Sequence, residues 1–181
     1  NIIITFDEKE FLNDIQFDDE SVSKIGKDTI ILASTITNNK ILKKLSHKNL
    51  FLYEVFSSIY KNNLSVSGFS IGELVLDILI KLNSKNVYLI GLDFSLNQKT
   101  GDSHSSDSSS GITKLDLMME QDREYFNSRE SLIKVKGNLL ENVFTTPLFF
   151  NSIQSAEVIL SHKSDNMNFF NLSENGAFIK N

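Results

Sequence analysis

Residues 65–110 place the strongest constraint on what this chain can fold into. They read SVSGFSIGELVLDILIKLN, then SKNVYLIGLDF, and then the polar loop SLNQKTGDSHSSDSSS. Apolar residues recur at helical spacing over residues 70–82, and an apolar run typical of a buried strand follows over 87–90. In an open α/β sheet, helix N-termini and the carboxyl ends of strands meet at one edge, where ligands bind. The segment therefore predicts a ligand site as well as a fold.

The apolar runs of the whole chain predict a mostly parallel sheet with helices between its strands. Strands are predicted over residues 2–6, 29–33, 50–53, 87–90 and 132–135. Helices are predicted around residues 41–45, over 55–60, 70–82 and 115–126, and from Pro147 onward. We expect a Rossmann-like three-layer α/β fold with a mostly parallel sheet.

Several local features refine this prediction. Ser70 followed by Glu73 fits a capping box at the start of the helix over 70–82. The strand at 87–90 is nearly all apolar, which predicts that it is covered on both faces. The helix over 115–126 is expected to bring Leu115 and Met118 into the core, and Gly176 is expected to supply a turn.

The length and composition bound the class of protein. At 181 residues we expect a single α/β domain over residues 1–181, and the strand that starts directly after Asn1 indicates a piece of a longer protein. The net charge of −5 argues against a general nucleic-acid binder. The chain has no cysteine, no signal peptide is visible, and no apolar run approaches 18 residues. We therefore expect a cytoplasmic protein without a membrane span. The loop at 95–111 is long and polar, and we expect it to be mobile.

Polar residues at the predicted sheet edge are candidates for ligand binding. Ser67 and Gly68 open the helix, so they could offer free N–H groups to a phosphate, or they could simply cap the helix. Asp93 at the strand end could hold a sugar hydroxyl, or it could accept hydrogen bonds within a turn. Both interpretations stay open, and they predict that the Ser67-Gly68 turn and Asp93 face one crevice.

His104 in the polar loop is a candidate general base, because imidazole titrates close to neutral pH. The alternative is an exposed loop histidine, like His47 and His162 elsewhere in the chain. Asp102, His104 and Asp107 alternate in a manner that could suggest a metal site, but serine-rich loops with scattered acids are usually solvated. We therefore expect no metal.

Three blocks of the chain resemble one known family. SGFSIGELVLDILIKLNSKNVYLIGLDFSLNQKTGDSH is similar to the core of the bacterial motility accessory factor (Maf) proteins, which are flagellin glycosyltransferases. VKGNLLENVFTTPLFF and NLSENGAFIKN resemble two later blocks of the same family. The resemblance covers residues 65–180 and implies that the chain is the C-terminal part of a Maf-like core. It also implies an upstream glycine-rich turn that this chain does not contain.

The central domain of the Maf family resembles bacterial lipooligosaccharide sialyltransferases, and this resemblance implies a function. It implies transfer of a nonulosonic acid, of the pseudaminic or legionaminic type, from a CMP-sugar to Ser or Thr of flagellin. Ser67, Gly68, Gly91 and Asp93 would lie on the nucleotide side of the site, with Asp93 and His104 as catalytic residues and His104 as the base. The CMP-sugar would be a substrate, and no separate cofactor is expected.

Two other function classes stay open. The chain could be a non-catalytic module that binds a nucleotide-sugar or a flagellar protein. It could also be a pterin pyrophosphokinase-like enzyme, since a related group of such enzymes shares the broad architecture. Pyrophosphoryl transfer would require a magnesium site of clustered carboxylates, and the sequence shows no convincing cluster.

Overall fold

The computed structural model describes residues 1–6, 8, 10, 12–55, 65–66, 70–104, 113–118 and 126–181. The chain divides into two compact units, Asn1–Val75 and Leu76–Asn181, and each is described separately. The prediction of one domain over residues 1–181 stays a prediction. In the described part, no helix has both the length and the apolar character needed to cross a membrane.

Unit 1 is built on a parallel sheet. Its strands are β1 (Ile2–Thr5), β2 (Ile30–Ser34), β3 (Leu50–Val55) and β4 (Ser65–Val66), and they lie in the order β1-β2-β3-β4. Every neighbouring pair is parallel. The helices are α1 (Leu12–Ile15), α2 (Asp19–Lys24) and α3 (Asn39–Leu45). The α/β class and the parallel sheet are therefore confirmed.

The core of unit 1 lies between the sheet and its helices. Val22 of α2, Ile31 of β2 and Ile41 and Leu45 of α3 are buried together with Phe17. Ile31 is in register with Leu50 of β3, which packs against this cluster. The apolar runs that predicted strands here place alternate side chains on the helix-covered face.

The described part of unit 2 contains two two-stranded sheets and a long helix. The parallel pair is β5 (Asn86–Leu89) with β8 (Asn168–Asn171), and the antiparallel pair is β6 (Ile133–Lys136) with β7 (Asn142–Thr145). The long helix is α5 (Pro147–Leu160), and helix α4 (Ile71–Lys81) contains the boundary between the units. Pro147 lies in the first turn of α5, as predicted, and Thr146 caps the helix.

The core of unit 2 joins α5 to both sheets. Its buried members include Val87, Leu89, Val143, Ile153, Ala156, Leu160 and Phe169. These residues come from β5, β7, α5 and β8. Their burial holds the carboxyl end of β5 in a defined place relative to α5.

Two expectations about this unit are wrong. Only Val87 and Leu89 of β5 are buried, whereas Tyr88 is 59% exposed and Ile90 77% exposed, so one face of the strand is open. Tyr88 instead stacks on Phe170 of β8, with ring centroids 4.9 Å apart. A run of apolar residues predicts a hydrophobic strand, but it does not establish that both faces of the strand are covered.

The helix predicted over 115–126 is absent from its described residues. Lys114 forms an isolated bridge with Asp102, and residues 115–118 continue into a turn. Met118 is 90% exposed, so its assignment to the core is wrong, while Leu115 is half-buried. The remainder of this prediction, over 119–125, and most of the helix predicted over 55–60 lie outside the described residues.

Candidate functional site

The predicted phosphate-binding turn lies outside the part of the chain that the structure describes. Ser67 and Gly68 are not among the described residues, and their predicted role stays a prediction. The helix that follows begins at Ile71. The Ser70 hydroxyl donates a hydrogen bond to Glu73 Oε1 at 3.1 Å, so the two residues of the expected capping box are paired through their side chains.

The turn after β5 has an unusual backbone. Gly91 has a φ of 72° and Phe94 a φ of 50°. Glycine adopts this left-handed conformation without steric cost, whereas a phenylalanine rarely does. Phe94 is 5% exposed, so a strained residue lies in the core directly after Asp93. Strain of this kind persists only where the surrounding contacts hold it.

A buried threonine supplies one of those contacts. The Thr145 hydroxyl, at the end of β7, donates to the Phe94 carbonyl oxygen at 2.7 Å. Thr145 is fully buried and precedes Thr146, the N-cap residue of α5. A residue at the junction between β7 and α5 therefore holds the turn after β5 in place.

Gln98 makes a second connection between this region and β7. Its side-chain amide donates to the Phe144 carbonyl oxygen at 3.1 Å, and its Oε1 accepts from the Phe144 N–H at 2.8 Å. The Leu96 N–H also donates to the Phe144 carbonyl oxygen, at 2.9 Å. The start of the polar loop is therefore attached to β7 by three hydrogen bonds.

Asp93 is held by the C-terminal segment of the chain. The Ser173 hydroxyl donates to Asp93 Oδ1 at 2.6 Å, and the Ala177 N–H donates to the Asp93 carbonyl oxygen at 2.8 Å. The Asp93 side chain is exposed, and its Oδ2 accepts no hydrogen bond from any described residue. The turn thus presents one free carboxylate oxygen.

Space is open beside Asp93 at Gly91. A Cβ atom added to Gly91 would meet no described atom within 4 Å. An exposed carboxylate next to an exposed glycine backbone allows a ligand to approach the main chain closely. Gly91 and Asp93 therefore lie together directly after β5, and their predicted roles in ligand binding stay predictions.

His104 lies on the other side of the polar loop. Its ring is exposed, contacts the Phe149 ring edge-on at 5.9 Å between centroids, and lies 3.0 Å from Ser103 Oγ through Nδ1. Ser103 Oγ also accepts the Thr113 N–H at 3.0 Å. Phe149 belongs to the first turn of α5, so His104 lies near the N-terminus of that helix.

The tautomer of His104 decides what the ring can do. If Nδ1–H donates to Ser103 Oγ, then Nε2 is an unprotonated acceptor and can serve as a base. If the Ser103 hydroxyl donates to Nδ1, then Nε2 carries the proton and is a donor. Among the described residues, no hydrogen bond joins His104 to Asp93.

The loop ahead of His104 is closed by a short antiparallel pairing. Asp102 bridges to Lys114, with hydrogen bonds from the Ser103 N–H to the Thr113 carbonyl oxygen and from the Leu115 N–H to the Gly101 carbonyl oxygen. Of the loop predicted to be mobile over 95–111, residues 105–111 lie outside the described residues.

Two of the clefts that the described residues of unit 2 form have linings that include neither Asp93 nor His104. The larger, of about 580 Å³, is lined by Gln98, Lys99, Thr100 and residues 114–118. The smaller, of about 220 Å³, lies between β6, α5 and Phe178. The candidate site at the end of β5 is therefore not part of either cleft.

Two residues of this arrangement, Ser173 and Thr145, were not predicted from the sequence. Ser173 lies in the block NLSENGAFIKN, so the resemblance had drawn attention to its segment but not to its hydroxyl. Thr145 carried no signal beyond its place before a predicted helix. Both act through contacts 80 and 51 residues away along the chain.

The fold and this turn define an α/β protein with a candidate ligand site at a strand end. A protein-family model described as 6-hydroxymethylpterin diphosphokinase MptE-like matches residues 1–99. Because the match spans more than half of the 181 residues, the chain belongs to the MptE-like family. No curated protein and no solved structure matches the chain significantly.

The family description raises the question of a magnesium ion, which diphosphoryl transfer commonly uses. Within the described ranges, no three or more His, Cys, Asp or Glu side chains are grouped so that they could hold a metal ion. Asp107, one member of the alternating acidic pattern, lies outside these ranges. Magnesium is usually held by one or two carboxylates together with substrate phosphates, so the absence of a larger cluster does not count against a diphosphokinase.

Proposed function

We propose that the chain is part of a transferase that uses a nucleotide-activated donor bound at the carboxyl end of β5. In its specific form, the proposal is transfer of a nonulosonic acid from a CMP-sugar to Ser or Thr of flagellin, in the cytoplasm. The observation that carries it is the contact of Asp93 with Ser173 and Ala177. This contact joins two of the three blocks that resemble the Maf family.

The arrangement suits recognition of a sugar or ribose ring. A carboxylate accepts hydrogen bonds only, so the free Oδ2 of Asp93 matches a ligand hydroxyl. The open space at Gly91 leaves room for the ring to approach the backbone. His104, in the tautomer with a free Nε2, would take the proton from the acceptor hydroxyl while the nucleotide leaves.

A second candidate is favoured by the family match itself. The family is described by a pterin diphosphokinase, and the match covers β1 to β5 and the Asp93 turn. Such an enzyme would bind ATP and a hydroxymethylpterin. The third alternative, a binding module without catalysis, requires the same donor site but no base.

Ligand-induced stabilisation distinguishes these candidates. A ligand that binds the native state raises the melting temperature by mass action, with about 2.7 kcal/mol gained at 100 times Kd. We expect CMP and a CMP-nonulosonic acid to raise the melting temperature of the chain, and Asp93→Asn to weaken the effect. The Asp165→Asn variant, which changes an exposed aspartate after α5, is the matched control.

The pyrophosphokinase alternative predicts the opposite pattern of melting-temperature shifts. A shift with ATP and 6-hydroxymethylpterin, and none with millimolar CMP, would replace the glycosyltransferase proposal with the pyrophosphokinase. If Asp93→Asn keeps the CMP-induced rise in melting temperature, the donor site does not lie at the end of β5.

A further inference from the structure

The Asn171 side chain closes the segment from Asn171 to Ala177 through two hydrogen bonds. Asn171 Oδ1 accepts from the Ser173 N–H at 3.0 Å, and Asn171 Nδ2 donates to the Ala177 carbonyl oxygen at 3.2 Å. The two ends of the segment are thus joined through a single amide. Local side-chain bonds of this kind stabilise turns, and the Leu172 N–H adds a backbone bond to the Leu89 carbonyl oxygen of β5.

A second asparagine anchors the same segment from the β6–β7 connection. Asn138 Nδ2 donates to the carbonyl oxygens of Asn171, at 3.0 Å, and Ser173, at 2.8 Å. Its backbone N–H donates to the Gly176 carbonyl oxygen at 2.9 Å. Three hydrogen bonds from one residue therefore hold the segment in place against the antiparallel hairpin.

The anchored segment approaches Asp93 as closely as its atoms allow. A Cβ on Gly176 would lie 3.1 Å from the Asp93 carbonyl oxygen, 3.2 Å from its Cα and 2.6 Å from Ser173 Cβ. Only glycine fits there without displacing a neighbour. The segment thereby holds Asp93 at its backbone through Ala177 and at its carboxylate through Ser173.

This network fixes the direction of the one free carboxylate oxygen. Ser173 occupies Oδ1, which restricts rotation of the side chain and leaves Oδ2 exposed. A preorganised acceptor binds a donor group more strongly than one that must be ordered first. A phosphate would be repelled by the same charge, whereas a hydrogen-bond donor such as a ring hydroxyl would be bound.

We infer that Ser173 and Asn138 are positioning residues, which aim the Asp93 carboxylate at a hydroxyl of the ligand's sugar or ribose ring. The inference rests on the proposed function, since it names which part of the donor Asp93 reads. It predicts that Ser173 governs the preference for hydroxylated ligands and not merely the stability of the fold.

The experiment compares ligands with and without ring hydroxyls. Isothermal titration calorimetry on the full chain would use CMP, 2′,3′-dideoxy-CMP and free N-acetylneuraminate. For the wild type we expect the hydroxylated nucleotide to bind about tenfold or more tightly than the dideoxy form, the size of one hydrogen bond to a charged group. Ser173→Ala and Asn138→Ala should reduce that preference to about threefold or less.

Two variants serve as controls. Ser173→Thr keeps a hydroxyl and should restore most of the preference. Ser161→Ala removes an exposed serine hydroxyl that bonds the Val158 carbonyl oxygen at the end of α5, and it should leave the preference unchanged. Melting temperatures of all variants separate a lost preference from a lost fold.

The outcomes test the positioning role of Ser173 and Asn138 separately from the proposed transferase function. If Ser173→Ala keeps the wild-type preference, or weakens all ligands equally, the inference is overturned while nucleotide binding stands. If the wild type binds N-acetylneuraminate but no nucleotide, and Asp93→Asn and Ser173→Ala both weaken that binding, the inference stands and the proposed function fails. If the wild type binds none of the three, or binds the CMP pair equally and no sugar, Asp93 is not a hydroxyl reader.

Discussion

The backbone of Phe94 is strained, and the contacts around this residue hold it in that conformation. A left-handed backbone costs an ordinary residue about 1–3 kcal/mol, and that cost is tolerated where neighbouring contacts stabilise it. Here the Thr145 hydroxyl binds the Phe94 carbonyl oxygen, and the ring packs into the core of unit 2. The strain lies next to Asp93, the exposed carboxylate of the candidate site.

Gly176→Ala tests the close approach to Asp93. Because the added Cβ would crowd the Asp93 backbone and Ser173 Cβ, we expect a loss of about 1–3 kcal/mol in the free energy of unfolding. Chemical denaturation measures it. Gly26→Ala is the control: its Cβ would meet only Thr29 Oγ1, at 3.5 Å, and should change stability by about 0.5 kcal/mol or less. Equal stability of the two variants would contradict the packing described here.

His104→Ala tests the general base. We expect sugar transfer to fall by roughly 10²–10⁴-fold, because a positioned base contributes about that much, while donor binding and fold stay nearly intact. Transfer rates at saturating donor measure the effect. His162→Ala, at another exposed histidine, should transfer at the wild-type rate. If His104→Ala retains activity within a few-fold, the proton acceptor lies elsewhere or the chain is not a transferase.

Residue-level prediction succeeded where the chemistry is local. Gly91 and Asp93 follow a strand directly, so their place at its end could be predicted from the apolar run alone. Ser173 and Thr145 could not be assigned, because their partners are set by how β8 and β7 pack in unit 2. A serine or threonine is compatible with too many environments for its type to identify a partner.

At the level of elements, Tyr53 ties β3 to β1 across the strand between them. It is 1% exposed, and its hydroxyl donates to the Thr5 carbonyl oxygen at 3.1 Å. Burial raises the pKa of Tyr53 to about 12, above its usual value near 10. The phenol must therefore stay protonated in the folded state, and its contribution is fully present below pH 10.

We expect the free energy of unfolding to fall as the pH rises from about 10 to 12, since the unfolded state loses the phenol proton first. Tyr53→Phe cannot titrate, so its unfolding free energy should fall less over that range, although it loses the bond to Thr5 at neutral pH. Denaturant titrations at several pH values compare the two proteins. Parallel pH curves would show that Tyr53 is not the group responsible.

Elements were predicted best where apolar periodicity and packing agree. β2, α3 and α5 lie close to their predicted positions, because each buries the side chains that produced its pattern. The pattern failed at Met118, where apolar residues at helical spacing belong to an exposed turn. β7 was not predicted as a strand, since its pairing depends on β6 and on the hairpin between them.

For the whole molecule, the family match and the candidate site do not cover the same residues. The match ends at residue 99, just after the Asp93 turn, whereas Thr145, Ser173 and Gly176 lie beyond it. If the site works as proposed, residues beyond the matched region position the Asp93 turn, which lies within the matched region. The parallel sheet could be predicted from the sequence, but the choice between a CMP-sugar and a pterin requires the ligand experiment.

The attachment of Gln98 to Phe144 has a consequence for solubility. The outward N–H and carbonyl oxygen of a strand at the rim of a sheet can template another chain, and such rims promote association between molecules. At Phe144, both groups are already occupied by the Gln98 amide, which imitates a neighbouring strand. Leu96 also donates to the Phe144 carbonyl oxygen, so two residues shield this point of the hairpin. Deamidation of Gln98 to glutamate would leave the Leu96 bond and a carboxylate acceptor for the Phe144 N–H, so we expect the shielding to survive it.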